Sequence, residues 1–195
     1  MNFDYENQAR AMDYQFICGI DEAGIGPLAG DVYAAAVILP NDVYIDGLND
    51  SKKLTHSKRL TLYEAIKANA TAWSVASASA QEIDRINIRQ AVALAMKRAI
   101  EGLQRQADYA LVDGNYTFEL PLPYQAIVKG DGKSMSIAAA SILAKVARDA
   151  YMETQHETYP MYGFDRHKGY PTKAHYQALA EYGPSPIHRR SFRLL

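Results

Sequence analysis

The chain alternates short apolar runs with longer stretches of helical periodicity. Tyr14-Gln15-Phe16-Ile17-Cys18 leads an apolar segment that reads as a strand ending near Asp21. Asp31 to Leu39 reads as a second strand, joined to the first as a hairpin through a glycine loop, and Pro40-Asn41-Asp42 ends it. Thr55 fits an N-cap for a helix to about Lys67, with Leu60, Tyr63, Ala65 and Ile66 as its expected inner face. Thr71 to Ser79 alternates as a strand does. Ser79 with Glu82 has capping-box spacing for a short helical turn, and Asn87 can cap a longer helix through Leu103. Tyr109 to Val112 and Tyr124 to Val128 are further short strands. A long helix is expected from about Ser136 to His156, stopped at Tyr159-Pro160, and Thr172 caps a last helix to about Tyr182. Strands followed by helices predict an α/β fold with a mixed sheet flanked by helices. Residues 1–195 are expected to form one domain, with about 155–195 as a C-terminal helical extension packed beside it.

With 195 residues and 48% hydrophobic content, the chain can bury a substantial core. The net charge of -1 implies no bulk attraction to polyanions, but charge is local. The segments Arg166-His167-Lys168 and His188-Arg189-Arg190-Ser191-Phe192-Arg193 are basic and suit phosphates. Cys18 is the only cysteine, which excludes an internal disulfide and reads as a buried hydrophobe. The chain shows no secretory leader pattern and no run long enough to cross a bilayer, so a cytoplasmic protein without a membrane partner is expected.

The chemistry sits at strand ends. Asp21-Glu22, Asp113 and Asp131 each fall at or just beyond the carboxyl end of an apolar strand, and each is followed by glycine within two residues. If those strands neighbour one another, the acids meet at one edge. Carboxylates brought together out of water repel and take up protons unless cations intervene. Hard oxygen ligands of this kind select Mg²⁺ or Mn²⁺, and two such ions can align an attacking water with a phosphodiester. Gly24 and Gly26 leave bare backbone next to the acids, suited to a phosphate or sugar. Ser51 and Lys52 form a second candidate phosphate contact.

Other chemistries fit less well. Gly24 to Ala29 matches a dinucleotide fingerprint, but Pro27 and Gly30 interrupt where that fingerprint needs a helix. The five histidines lack zinc-site spacing, and His167 and His188 read as solvent-facing, with a phosphate contact as the alternative. No nucleophile elbow and no Walker A loop is present.

Taken together, Gly19-Ile20-Asp21-Glu22-Ala23-Gly24, Asp50-Ser51-Lys52-Lys53-Leu54, Val112-Asp113-Gly114-Asn115, Lys129-Gly130-Asp131, Ile137 to Val146, His167-Lys168-Gly169-Tyr170 and Gly183 to Phe192 resemble the bacterial type 2 ribonuclease H (ribonuclease HII) family over roughly residues 15–193. The resemblance implies an RNase H-like fold, and a monomer is expected. It implies an endonuclease that hydrolyses the RNA strand of RNA–DNA hybrids with Mg²⁺ or Mn²⁺. It also implies cutting 5′ of single ribonucleotides embedded in duplex DNA, leaving 3′-hydroxyl and 5′-phosphate ends. By resemblance, Asp21, Glu22, Asp113 and Asp131 are the catalytic and metal-binding acids. Gly24, Ile25, Gly26, Ser51, Lys52 and Tyr170 are implied to meet substrate, Tyr170 against the sugar at the junction. The family's glycine loop carries arginine where this chain has Ile25, and a small residue with a side chain where it has Gly132. The alternative reading is therefore a catalytically weakened hybrid-binding protein.

Overall fold

The computed structural model describes residues 1–195. In chain order the elements are α1 (Asp4–Arg10), β1 (Ile17–Ala23), β2 (Val32–Ile38), α2 (His56–Asn69), β3 (Ala72–Ala78), α3 (Ala80–Ile86), α4 (Ile88–Glu101), β4 (Tyr109–Asp113), β5 (Tyr124–Ile127), α5 (Met135–Thr158), α6 (Phe164–His167) and α7 (Lys173–Tyr182). Short 3₁₀ turns at Ser51–Lys53, Gly130–Gly132 and Pro160–Tyr162 join them.

The strands form one mixed sheet in the order β3-β2-β1-β4-β5. β1 and β2 are the expected antiparallel hairpin, with Ile20 opposite Ala36 and Asp21 opposite Ala35. β4 lies parallel to β1, and β5 lies parallel to β4. Parallel neighbours place their carboxyl ends on the same edge, so the topology itself collects the acids that end β1 and β4 and the one that follows β5.

Each face of the sheet carries its own apolar layer. Cys18, Ile20, Val32, Ala34, Ala36 and Val112 pack with Ala91, Val92, Ala95, Met96 and Ala99 of α4. On the other face Ala35 and Val37 pack with Ala138, Ala139, Ala140, Ile142 and Leu143 of α5 and with Leu62 and Ile66 of α2. The inner face of α2 differs from the expected one: Leu62 is buried and Leu60 is exposed. Leu62 and Ile66 are four residues apart and so share a face, which Leu60 does not join. Small residues let α5 approach closely. A side-chain carbon on Gly19 of β1 would overlap the Ser136 backbone of α5.

The helix starts follow the local signals. Thr55, Asn87 and Thr172 accept from the backbone amides of Lys58, Gln90 and His175, and Ser79 with Glu82 forms a complete capping box. The long helix begins at Met135, with Ser134 as its cap, slightly ahead of the expected Ser136. One long-range cap has no local signature. Glu6 of α1 accepts from the Ser134 hydroxyl at 2.7 Å and the Ser136 amide at 3.0 Å, tying the first helix to the start of α5. Leu28, Ala29, Met152, Tyr162, Phe164, Ala178 and Leu179 make a further cluster that fastens the C-terminal elements to α5 and the glycine loop. No helix is long and apolar enough to cross a membrane.

Candidate active site

Asp21 on β1, Asp113 at the end of β4 and Asp131 in the 3₁₀ turn after β5 each place a carboxylate oxygen within 4.8 Å of the others. The turn is held by the acids' own neighbours. Asp113 Oδ1 accepts from the Gly130 amide at 2.6 Å and the Asp131 amide at 3.3 Å. Glu22 stands outside that triad. Strand alternation assigns it to the side of Cys18 and Ile20, yet it borders the same cleft as Asp21. Its Oε2 is buried without a hydrogen-bond partner.

These acids are electrostatically uncomfortable. Burial, then the charges of Glu22 and Asp113, pushes the Asp21 carboxyl well above the usual carboxylate range. Burial and Asp113 raise Glu22 to about 7. Burial and Asp113 also raise Asp131, with Lys52 opposing from 3.7 Å. An orphaned carboxylate oxygen beside three crowded hard oxygen donors is the arrangement a divalent cation relieves. The donor set therefore fits Mg²⁺ or Mn²⁺.

The cleft beside the acids has a volume of about 470 Å³ and is lined by Asp21, Glu22, the loop Ala23 to Gly26, Ser51, Lys52, Ser141, Lys145 and Tyr170. All six residues expected to meet substrate thus border one cavity: Gly24, Ile25, Gly26, Ser51, Lys52 and Tyr170. The turn bearing Ser51 and Lys52 is set by Asp50, which accepts from the Lys52 amide, and by Arg59, which donates to the carbonyls of Ser51 and Leu54. Across the cavity, Tyr170 faces Gly26, where an added side-chain carbon would lie 3.7 Å from its ring.

Two residues missing from the sequence reading organise the glycine loop. Arg189, placed in a basic phosphate-facing tail by its sequence context, is fully buried. It donates to the carbonyls of Gly24 at 2.6 Å, Ile25 at 2.8 Å and Gly30 at 2.9 Å. Arg148 of α5 is also buried and donates to the carbonyls of Ala29, Asp31 and Lys168. Its guanidinium lies 5.8 Å from the centre of the Tyr170 ring, within cation–π range. Gly24 has φ +100°, and a side chain there would collide with Arg148. Both guanidiniums are thus engaged with backbone and act as braces for the loop. Arg189 falls within the Gly183 to Phe192 motif carried by resemblance, whereas Arg148 lies just beyond the Ile137 to Val146 motif and had no sequence signal.

The histidine expectation needs correction. His175 and His188 are buried, and His167 stacks on His175 with ring centres 4.5 Å apart. The Ser185 amide donates to His188 Nδ1 at 2.9 Å, so His188 carries its proton on Nε2 and donates to His175 Nε2. His175 in turn donates from Nδ1 to the Tyr170 carbonyl at 3.0 Å. His167, His175 and His188, none of them in zinc-site spacing, thus gather behind the backbone of Tyr170. Cys18 matches its expectation: it is buried and unpaired, and burial pushes its thiol up to about 12.

The pattern of the family described as Ribonuclease HII matches residues 18–195. The chain is 62% identical over 176 residues to the ribonuclease HII of Dechloromonas aromatica, covering 90% of each chain. Its fold is similar to the crystal structure of ribonuclease H2 from Pyrococcus horikoshii, with TM-score 0.77 and 25% identity over 92% of this chain and 95% of that one. It also resembles Bst-RNase HIII in complex with Mn²⁺, with TM-score 0.74 and 16% identity over 92% of this chain and 67% of that one, a likeness of fold. An acid cluster at the carboxyl edge of an RNase H-like sheet and a family match over nearly the whole sequence agree: the chain belongs to the ribonuclease HII family of metal-dependent ribonucleases H.

Proposed function

We propose that this protein is an endonuclease that hydrolyses the RNA strand of RNA–DNA hybrids and also cuts 5′ of single ribonucleotides within duplex DNA, leaving 3′-hydroxyl and 5′-phosphate ends. The observation that carries the reading is the meeting of Asp21, Asp113 and Asp131 beside the braced glycine loop.

Asp21, Glu22, Asp113 and Asp131 would hold the cations. Two divalent ions at such a site supply an activated water and stabilise charge on the leaving oxygen. The remaining work falls to the chain's own groups. The loop at Gly24 to Gly26 has its carbonyls of Gly24 and Ile25 tied inward by Arg189, which leaves this stretch of backbone braced at the cleft. Backbone there meets the ribose 2′-hydroxyl and its phosphate without an intervening side chain at either glycine, and the 2′-hydroxyl distinguishes RNA from DNA. Tyr170 presents a flat apolar face to the neighbouring sugar. Ser51 and Lys52 face the strand from the opposite wall, and Lys52 also offsets the charge of Asp131.

The test is incubation of the purified protein with duplex DNA carrying one ribonucleotide, and separately with an RNA–DNA hybrid, in Mg²⁺ or Mn²⁺. The expected products are single cuts on the 5′ side of the ribonucleotide with a 3′-hydroxyl terminus. Tight binding with no cut product in either metal would instead establish the weakened hybrid-binding protein that Ile25 suggests.

A further inference from the structure

Substrate is a polyanion, while the cleft is lined by Asp21 and Glu22 with Asp113 and Asp131 beside them, so its walls need free positive charge. The cations that line or back the cleft are mostly occupied. Lys52 pairs with Asp131, Lys145 pairs with Asp149 at 2.7 Å, and Arg148 and Arg189 are turned to backbone carbonyls. Ile25 contributes none, although it borders a cavity together with Ile88, Arg89 and Val92 of α4.

Beyond Ile25 lies a second, smaller cavity of about 160 Å³, bounded by Ile25, Ile88, Arg89, Val92, Tyr116 and Phe118. Ile25 is the wall shared by this cavity and the catalytic cleft. Tyr116 lines the smaller cavity beside Arg89. Burial and the charges of Glu22, Asp113 and Asp21 raise its phenol, and Arg89 opposes them. Arg89 stands in the first turn of α4, exposed to solvent, and takes part in none of the protein's ion pairs or side-chain hydrogen bonds. An unpaired guanidinium beside an apolar shelf suits a phosphodiester whose sugar rests on the shelf.

We propose that Arg89 is a phosphate-binding residue for the nucleic-acid strand, supplying from α4, across Ile25, the positive charge that the glycine loop lacks. The assignment rests on the nucleic-acid reading of the cleft, and it makes Ile25 and Arg89 a functional pair. With a hydrophobic residue at position 25, the α4 arginine is left as the free charge beside this wall, and an arginine at position 25 would duplicate it.

Equilibrium binding tests this independently of catalysis. The full chain is titrated with a fluorescein-labelled RNA–DNA hybrid duplex in Ca²⁺ over a range of KCl concentrations, and cleavage of the same duplex is followed separately in Mg²⁺. Arg89→Gln is expected to weaken binding about 5- to 10-fold near ~0.1 M KCl and to lower the slope of log K against log salt by about one contact. Arg89→Lys should keep the slope, and Ile25→Arg in the Arg89→Gln background should restore it. Unchanged affinity and slope in Arg89→Gln would overturn the assignment. Wild-type protein that binds with an Arg89-dependent slope but cuts nothing would overturn the nuclease reading and leave this one standing. Wild-type protein that does not bind the duplex would overturn both.

Discussion

His188 donates from Nε2 to His175 Nε2 across 2.9 Å, and His175 passes the interaction on to the Tyr170 carbonyl. The chain of donors works only with both rings neutral. Burial and the neighbouring His175 lower His188 to about 4, and burial lowers His175 and His167 too. A histidine held below its ordinary value of about 6.5 stabilises the fold fully above that value. As pH falls from about 6.5 towards 4, the unfolded chain takes up protons that the folded chain refuses. Stability should therefore fall over that window, by on the order of 2 kcal/mol from His188 alone. Thermal melts from pH 7.5 to 4.5 check this. His188→Gln should melt lower at pH 7.5 but lose less on acidification, and an equally steep loss would show that the histidines are not its source.

The acids have the opposite sign. Burial and mutual repulsion raise Glu22 to about 7 and raise Asp21 and Asp131 above the carboxylate range. Their protonated forms are favoured in the fold, so this contribution is fully present below about 4.5 and is lost as pH rises through about 7. A divalent cation cancels the repulsion. Added Mg²⁺ should raise the melting temperature more at pH 8 than at pH 5.5, and Glu22→Gln should reduce that difference. Equal gains at both pH values would count against these acids as the metal ligands.

Asp113 has a double role, and one substitution separates the parts. Its Oδ1 receives the amides of Gly130 and Asp131, which an asparagine oxygen can equally accept. Asp113→Asn should fold with a stability change within about 1 kcal/mol, yet lose Mg²⁺-dependent cleavage by more than about 100-fold, since even changes around metal ligands cost 10- to 100-fold. Circular dichroism melts and a hybrid-cleavage assay read the two effects apart.

Two glycines near the acids should respond in opposite directions. Gly132 has no atom within 4 Å of where a side-chain carbon would sit, and its φ is not in the left-handed region. Gly132→Ala should stabilise the protein by about 0.4–1 kcal/mol through the unfolded chain. Gly24 combines a left-handed φ with Arg148 directly against it, so Gly24→Ala should destabilise by about 1–3 kcal/mol. Denaturant melts compare the two.

Much of the architecture could be read from local signals, because the caps at Thr55, Ser79, Asn87 and Thr172 depend on residues three positions away. The convergence of Asp21, Asp113 and Asp131 was legible too, since strand ends followed by glycine repeat three times. What stayed hidden depends on distant backbone. Arg189 reaches carbonyls about 160 residues earlier in the chain, and Glu6 caps a helix 128 residues later. Nothing in their neighbourhoods distinguishes them from surface charges. His188, flanked by Arg189, looks solvated in sequence for the same reason. Leu60 and Leu62 differ only in which face of α2 turns towards α5 and the core behind it.

The braces behind the glycine loop carry one more implication. Arg148 and Arg189 remain cationic at neutral pH, even with Arg189 lowered to about 9 by burial, and neither has a carboxylate at ion-pair distance. Dissolved ions cannot crowd around charges sealed beneath the surface. The charge-assisted hydrogen bonds that pin the carbonyls of Gly24, Ile25 and Ala29 therefore weaken little in concentrated salt, and the shape of the loop outlasts the ion pairs at the surface.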